Sequence, residues 1–224
     1  MIFIKKKICY IIGASPEGCS ELLINDDFDN FIIAADGGFD ILLKGALKPD
    51  LLLGDFDSID FLPKHDNILK FPIEKDYTDT FLAYEEGRKR GYLNFVIYGG
   101  TGGRFDHTVA NLQTLANISK NGGRGFLVGD GAIITAISNS CIEFPAEIAG
   151  KAGVFAFGSD AFGVDIVGMK YTAQKTDVSP FFPLGVSNEF INQSAKISVE
   201  NGTLIIVWYE TSEQFSKHIH EYLI

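Results

Sequence analysis

Five short apolar runs mark the first hundred residues: Ile8–Ile12, Asn30–Ala35, Leu51–Leu53, Ile68–Phe71 and Asn94–Tyr98. Each is followed within a few residues by a cluster of glycines or charged side chains. Runs of this kind predict strands, and the run of Leu with no polar break predicts one buried on both faces. The segments between several of them carry helical spacing. Strand–helix–strand alternation implies a parallel sheet with helices on both faces. The carboxyl ends of such strands share one rim, and ligands collect there. Asp36, Asp55, Asp57, Asp76, Asp79 and Arg104 all come shortly after predicted strands, so they are candidates for one composite site.

The sharpest of these stretches is Leu51–Ser58, LLLGDFDS. Gly54 lets the backbone turn and approach a ligand. In an extended chain Asp55 and Asp57 point the same way, and two adjacent like charges need a compensating cation. A hard ion that keeps open positions for phosphate oxygens fits, which favours Mg²⁺ over Zn²⁺ or Ca²⁺. Taken alone, a D-x-D is more often a solvated acidic turn. The recurrence of polar clusters after other strands separates the two readings.

The remaining loops add to the inventory. Gly13–Gly18 has the spacing of a phosphate loop but lacks the Lys-Ser/Thr that would follow, so a turn into a helix from Ser20 is the plainer expectation. Asp36-Gly37-Gly38 precedes a helix beginning near Phe39 whose N–H groups face an anion; Asp36 is either a cap or a ligand. Thr78 is the expected N-cap of a helix running to about Gly91, with Asp79 in its first turn and Lys75 and Asp76 just before it. The loop Gly99–Arg104, GGTGGR, is glycine-dense, which is entropically expensive unless backbone lies against something. Arg104 can fork onto phosphate oxygens. Asp106 and His107 open the next helix, with Val109, Leu112, Leu115 and Ile118 on one face. His107 is as well suited to a helix-start hydrogen bond as to a base.

Beyond about residue 130 helical periods give way to short β-branched and aromatic runs, namely Ile133–Ile137, Val154–Phe157, Val164–Val167, Lys196–Val199 and Leu204–Trp208. Gly, Asn and Pro turns between them predict an antiparallel sandwich or jelly roll. Asn201-Gly202 is a strong hairpin signal. The expected organisation is therefore an α/β domain over 1–130 and a β-sandwich domain over 131–224. Trp208 is expected in the core, and 212–223 as a final helix on which His218 and His220 point in different directions.

Formal net charge is −10, which argues against a sequence-independent grip on nucleic acid or an anionic membrane. Cys9, Cys19 and Cys141 are odd in number and lack metal-ligand spacing, as expected of reduced thiols in a cytoplasmic protein. The first residues mimic a signal peptide, but their apolar run is short and no convincing cleavage site follows. No run is long enough for a transmembrane helix.

Taken together, ADGGFD (35–40), PDLLLGDFDSI (49–59), KDYTDT (75–80) and GGTGGRFDHTVANL (99–112) occur in order with plausible gaps, and LGVSNEF (184–190) follows late in the chain. This ordered set resembles the thiamine pyrophosphokinase family. The resemblance implies a Rossmann-like α/β catalytic domain joined to a C-terminal β-sandwich, in a homodimer with active sites where the subunits meet. It also implies a Mg²⁺-dependent reaction of ATP with thiamine to give thiamine diphosphate and AMP. By matching motifs, Asp55, Asp57 and Asp79 are the implied metal ligands, with Asp76 and Asp36 nearby. Arg104 and the Gly102-Gly103 backbone are implied to hold the ATP phosphates, with Gly37, Asp106 and His107 also on the nucleotide side. Thr78, Asp79, Ser187 and Asn188 are implied on the thiamine side. The run 172–182, TAQKTDVSPFF, departs from the family pattern.

Three other readings use the same residues. The acceptor could be a hydroxymethylpterin, a D-x-D also serves metal-dependent glycosyltransferases, and a non-catalytic binding module would need fewer uncompensated carboxylates.

Overall fold

The computed structural model describes residues 6–15, 22–25, 28–56, 65–72, 74, 76–129 and 131–224. Asp57 and Lys75, and most of the stretch from which a helix was expected at Ser20, lie outside them; residues 22–25, which are described, are not helical. The chain divides into two compact units. One comprises Met1–Thr114 with Leu127–Asp130, the other Leu115–Phe126 with Gly131–Ile224.

In the first unit, β1 (Lys7–Ile12), β2 (Asp29–Ala35), β3 (Leu51–Gly54), β4 (Ile68–Lys70) and β5 (Asn94–Tyr98) form a wholly parallel sheet in the order β5-β1-β2-β3-β4. Ile8, Ile11, Leu52, Leu53, Val96 and Ile97 are fully or almost fully buried, as the unbroken apolar runs predict. The crossovers include α1 (Gly38–Lys44) and α2 (Asp79–Lys89), which pack on β1, β2 and, for α2, β3. α3 (Phe105–Lys120) follows β5, and β6 (Arg124–Gly129) follows α3. Strand order reverses where β1 meets β5, so β2 and β5 leave β1 on opposite sides and a crevice opens above its carboxyl end.

One face of α3 differs from its expected pattern. Leu115 and Ile118 are buried, but Val109 is exposed, and the polar Asn111 and Thr114 are buried instead. Each has a local reason. Asn111 Nδ2 donates to the Gly100 carbonyl at 2.8 Å, and the Thr114 hydroxyl donates to the Ala110 carbonyl at 3.0 Å.

The second unit is antiparallel. β7 (Ala132–Ser138), β9 (Ala149–Ala156), β12 (Gly185–Ile191) and β14 (Thr203–Tyr209) pair in the order β12-β9-β14-β7. β8 (Cys141–Phe144), β10 (Ala161–Val167), β11 (Ala173–Val178) and β13 (Ala195–Ser198) make a separate sheet in the order β11-β10-β13-β8. Periodicity missed β8, β11 and β12; β11 is mostly polar and exposed, and β12 carries a bulge.

Asn201-Gly202 does not close a hairpin. β13 belongs to one sheet and β14 to the other, and the chain changes sheets at that dipeptide. The turn is held by partners other than its flanking strands. Gly202 N–H donates to Asn139 Oδ1 at 2.9 Å, and the Phe162 N–H donates to the Asn201 carbonyl at 2.7 Å. α4 (Ser212–Tyr222) starts with a Thr211–Gln214 capping box and buries Phe215, Ile219 and Tyr222. Trp208, at 0 % exposure, lies in the core edge-on to Phe144 and Tyr222. Among the described residues no helix is long and apolar enough to cross a membrane.

Candidate active site

The parallel register places the residues that follow β1, β2, β3 and β5 on one rim of the first unit. Close approach between those loops is direct. Gly13 N–H donates to the Tyr98 carbonyl at 2.8 Å, and Ser15 N–H to the Gly99 carbonyl at 3.2 Å, which ties the β1 loop to the β5 loop. Asp36 N–H donates to the Leu53 carbonyl at 2.7 Å, which ties the β2 loop to the end of β3. Gly38 is required by sterics, since a Cβ there would collide with the Ile12 carbonyl. The unoccupied Cβ position of Gly54 lies 3.1 Å from the Asp36 Cα, so a side chain there would push these two loops apart.

Asp36, half-buried with φ 49°, and Asp55, half-buried just after β3, therefore stand on adjoining loops. Phe56 lies in the left-handed region at φ 58°, so the backbone leaves its extended course directly after Asp55; the expectation that Asp55 and Asp57 point the same way falls on Asp57, outside the described residues. Thr78 caps α2 as expected, its Oγ1 accepting the Phe81 N–H at 3.2 Å. Asp79 is half-buried in the first turn of α2 and Asp76 is exposed before it. Among the described residues no group of three or more His, Cys, Asp and Glu side chains converges tightly enough to hold a metal; Asp57 is not among those residues. Asp36, Asp55 and Asp79 bring carboxylate oxygens to the loops at the rim, and that chemistry fits a hard divalent cation.

The β1/β5 crevice holds a cavity of about 310 Å³, lined by Ala14, Ser15, Thr80, the four glycines of the 99–103 loop, Arg104, His107 and Asn111. The sheet topology puts it where an open α/β sheet takes its ligand. Gly102 and Gly103 have φ of 75° and 58°, conformations that side chains resist. Gly37, the N-cap of α1, approaches the β1 loop, its unoccupied Cβ position 3.1 Å from the Ala14 Cβ. Arg104 is exposed at the cavity and already forked. Its Nη2 donates to Asp106 Oδ2 at 2.6 Å and its Nε to Oδ1 at 3.2 Å. The His107 N–H donates to the same Oδ1 at 3.1 Å. The Arg104 bonds hold the Asp106 carboxyl below the usual carboxylate range.

A second cavity, about 300 Å³, lies within the second unit among residues of β9, β10, β11 and β12. Asn188 lines it at 4 % exposure, but its amide is engaged. Oδ1 accepts the N–H groups of Tyr171 at 3.0 Å and Glu189 at 2.8 Å, and Nδ2 donates to the Tyr171 carbonyl at 2.7 Å. Asn188 thus clamps the backbone of Tyr171, whose exposed ring also lines the cavity. Ser187 is exposed at φ 61° in a register shift between Gly185 and Asn188, and such a bulge re-aims side chains at a sheet edge.

Sequence reasoning missed Ser15, Asn111 and Tyr171. Asn111 left a readable trace, a polar residue on the apolar side of a helix. Tyr171 left none, because its role depends on a clamp from a residue far along the chain.

The family model described as the thiamin pyrophosphokinase catalytic domain matches residues 27–127, and that described as the thiamin pyrophosphokinase vitamin B1 binding domain matches residues 139–204. The chain is 26% identical over 217 residues to a thiamine pyrophosphokinase of Bacillus subtilis, covering 90% of this chain and 98% of that protein. It is 25% identical over 197 residues to thiamin pyrophosphokinase 1 of Caenorhabditis elegans, covering 81% of each. The fold is similar to a crystal structure of thiamine pyrophosphokinase from Bacillus subtilis, with a TM-score of 0.77 at 24% identity over 92% of this chain and 100% of that one. It is also similar to yeast thiamin pyrophosphokinase, with a TM-score of 0.68 at 17% identity over 91% and 86% of the two chains. These matches favour thiamine over a pterin or sugar acceptor. With both halves matched in order by the two family models, the chain belongs to the thiamine pyrophosphokinase family.

Proposed function

We propose that this protein transfers the pyrophosphoryl group of ATP to the hydroxyl of thiamine, giving thiamine diphosphate and AMP. The observation that carries the reading is the cavity at the β1/β5 switch point, bounded by the glycine loop and Arg104, in a chain of this family. The thiamine oxygen attacks the β-phosphorus in line, the bond from that phosphorus to the oxygen shared with the α-phosphorus breaks, and AMP departs. Such a transfer needs alignment and charge compensation more than covalent chemistry.

Asp55, Asp57 and Asp79 would hold Mg²⁺, with Asp36 and Asp76 close by. The ion supplies neutralisation of charge developing on the phosphate oxygens. Arg104 turns its fork from Asp106 to the nucleotide phosphates, and the Gly102-Gly103 backbone shapes the cavity that receives them. The acceptor proton passes to one of two carboxylates at the start of α2, Asp76 or Asp79.

Thiamine is an aromatic cation, and the clamped Tyr171 ring beside a mostly apolar cavity suits it. The rim of that cavity is also where the homodimer forms. Phe181 is 93% exposed, Phe182 65%, and Leu184 and Val186 are more than half exposed, an apolar patch that favours a second copy over water. A cytoplasmic setting agrees with free Cys9 and Cys141; burial pushes the Cys9 thiol up and leaves it inert.

The deciding measurement is chromatographic. With ATP, Mg²⁺ and thiamine, AMP and thiamine diphosphate should appear in equal amounts, and neither should form without thiamine. Release of ADP, or AMP formation indifferent to thiamine, would overturn the reading.

A further inference from the structure

The Ser15 hydroxyl lines the β1/β5 cavity, is closed off from bulk water, and has no hydrogen-bond partner among the described residues. Its own N–H is spent on the Gly99 carbonyl at 3.2 Å, so the residue is fixed against the glycine loop. The unoccupied Cβ position of Gly103 lies 3.6 Å from its Oγ, leaving the hydroxyl facing a stretch of loop without side chain. In the same loop the Thr101 hydroxyl is also buried without a partner among the described residues, in a residue only 8% exposed. Buried hydroxyls left unsatisfied weaken a fold, and native structures rarely keep them without a ligand or water to complete them. Arg104 lines the same cavity and supplies positive charge there.

A hydroxyl, a glycine loop and a guanidinium around one cavity form a donor set suited to a phosphate. We infer that Ser15 donates its hydroxyl proton in a hydrogen bond to a phosphate oxygen of the bound nucleotide, and so positions ATP for the transfer. This rests on the function proposed above. Ser15 lies outside residues 27–127, the span matched by the catalytic-domain model, and none of the quoted family motifs includes it.

The test is calorimetric titration of Mg²⁺ with the ATP analogue that carries a methylene bridge between the α and β phosphorus atoms, which cannot be cleaved at the transferred bond. Ser15→Ala should bind it about tenfold more weakly than the wild type. The unliganded variant should melt at the same temperature or higher, because the unsatisfied hydroxyl is gone, whereas a merely structural serine would lower it. Ser15→Thr, which keeps a hydroxyl, should recover most of the affinity. Equal affinity in wild type and Ser15→Ala overturns the inference, as does weakened binding that accompanies a fall in melting temperature. If binding depends on Ser15 but the wild type forms no AMP from ATP and thiamine, the proposed reaction fails while the Ser15 contact stands.

Discussion

Asp55 stands where β3 ends and the backbone turns left-handed at Phe56, with the Asp36 loop pressed against Gly54 behind it. Local geometry of this kind is costly and persists where the surrounding structure holds it. Asp55→Asn keeps the shape of the side chain and removes its charge. Turnover should fall about a hundredfold or more, the scale on which loss of one charge-stabilising group is felt. The melting temperature should stay within a few degrees of the wild type. Near-normal turnover in this variant would remove Asp55 from the metal assignment. At this scale the sequence was informative where chemistry is local: D-x-D, the glycines beside it and the Thr78 cap were legible. The orphaned Ser15 hydroxyl was not, since a serine before a proline has no visible partner or lack of one until the loop after β5 folds over it.

Among the elements, α4 shows how a charged residue is buried without loss. Glu210 is 6% exposed; its Oε2 accepts Trp208 Nε1–H at 2.7 Å and the Tyr222 hydroxyl at 3.4 Å, and Oε1 meets His218 Nδ1 at 2.8 Å. Burial and the nearby carboxylate push the Tyr222 phenol up, so it stays protonated and can donate. Glu210→Ala would leave the indole and phenol donors unpaired in the core and should cost about 2–4 kcal/mol. A urea titration followed by tryptophan fluorescence reads this directly, and an unchanged midpoint would show that the carboxylate does not hold α4. The helix itself was expected in the tail after Trp208. The divergence of the two histidines agrees with the structure, where His218 meets Glu210 and the largely exposed His220 makes only a 3.8 Å contact with Glu221. The Glu210 contacts were not legible, because they join the end of a strand to a helix through a corner that spacing does not describe.

For the whole molecule, the apolar rim at 181–186 bears on assembly. Replacing Phe181 and Phe182 together with Ser should convert a dimer into a monomer at micromolar concentration and lower turnover with it, as sedimentation velocity and the AMP assay would record. A wild type that sediments as a monomer would refute the homodimer. The acidic balance, −10 overall, suits a cationic acceptor.

Unbroken apolar runs by themselves determined a buried parallel sheet, because side chains that find no polar alternation must be covered on both faces. The same pattern placed Asp36, Asp55, Asp79 and Arg104 after strand ends, and parallel pairing then put those ends on one side. Tertiary structure alone decided which strand meets which beyond Ala132. β13 and β14 carry the local marks of a hairpin, yet each finds its neighbours in a different sheet. Pairing partners there are chosen by side chains tens of residues away, and a cavity such as the one beside Ser15 exists only once those distant segments have packed.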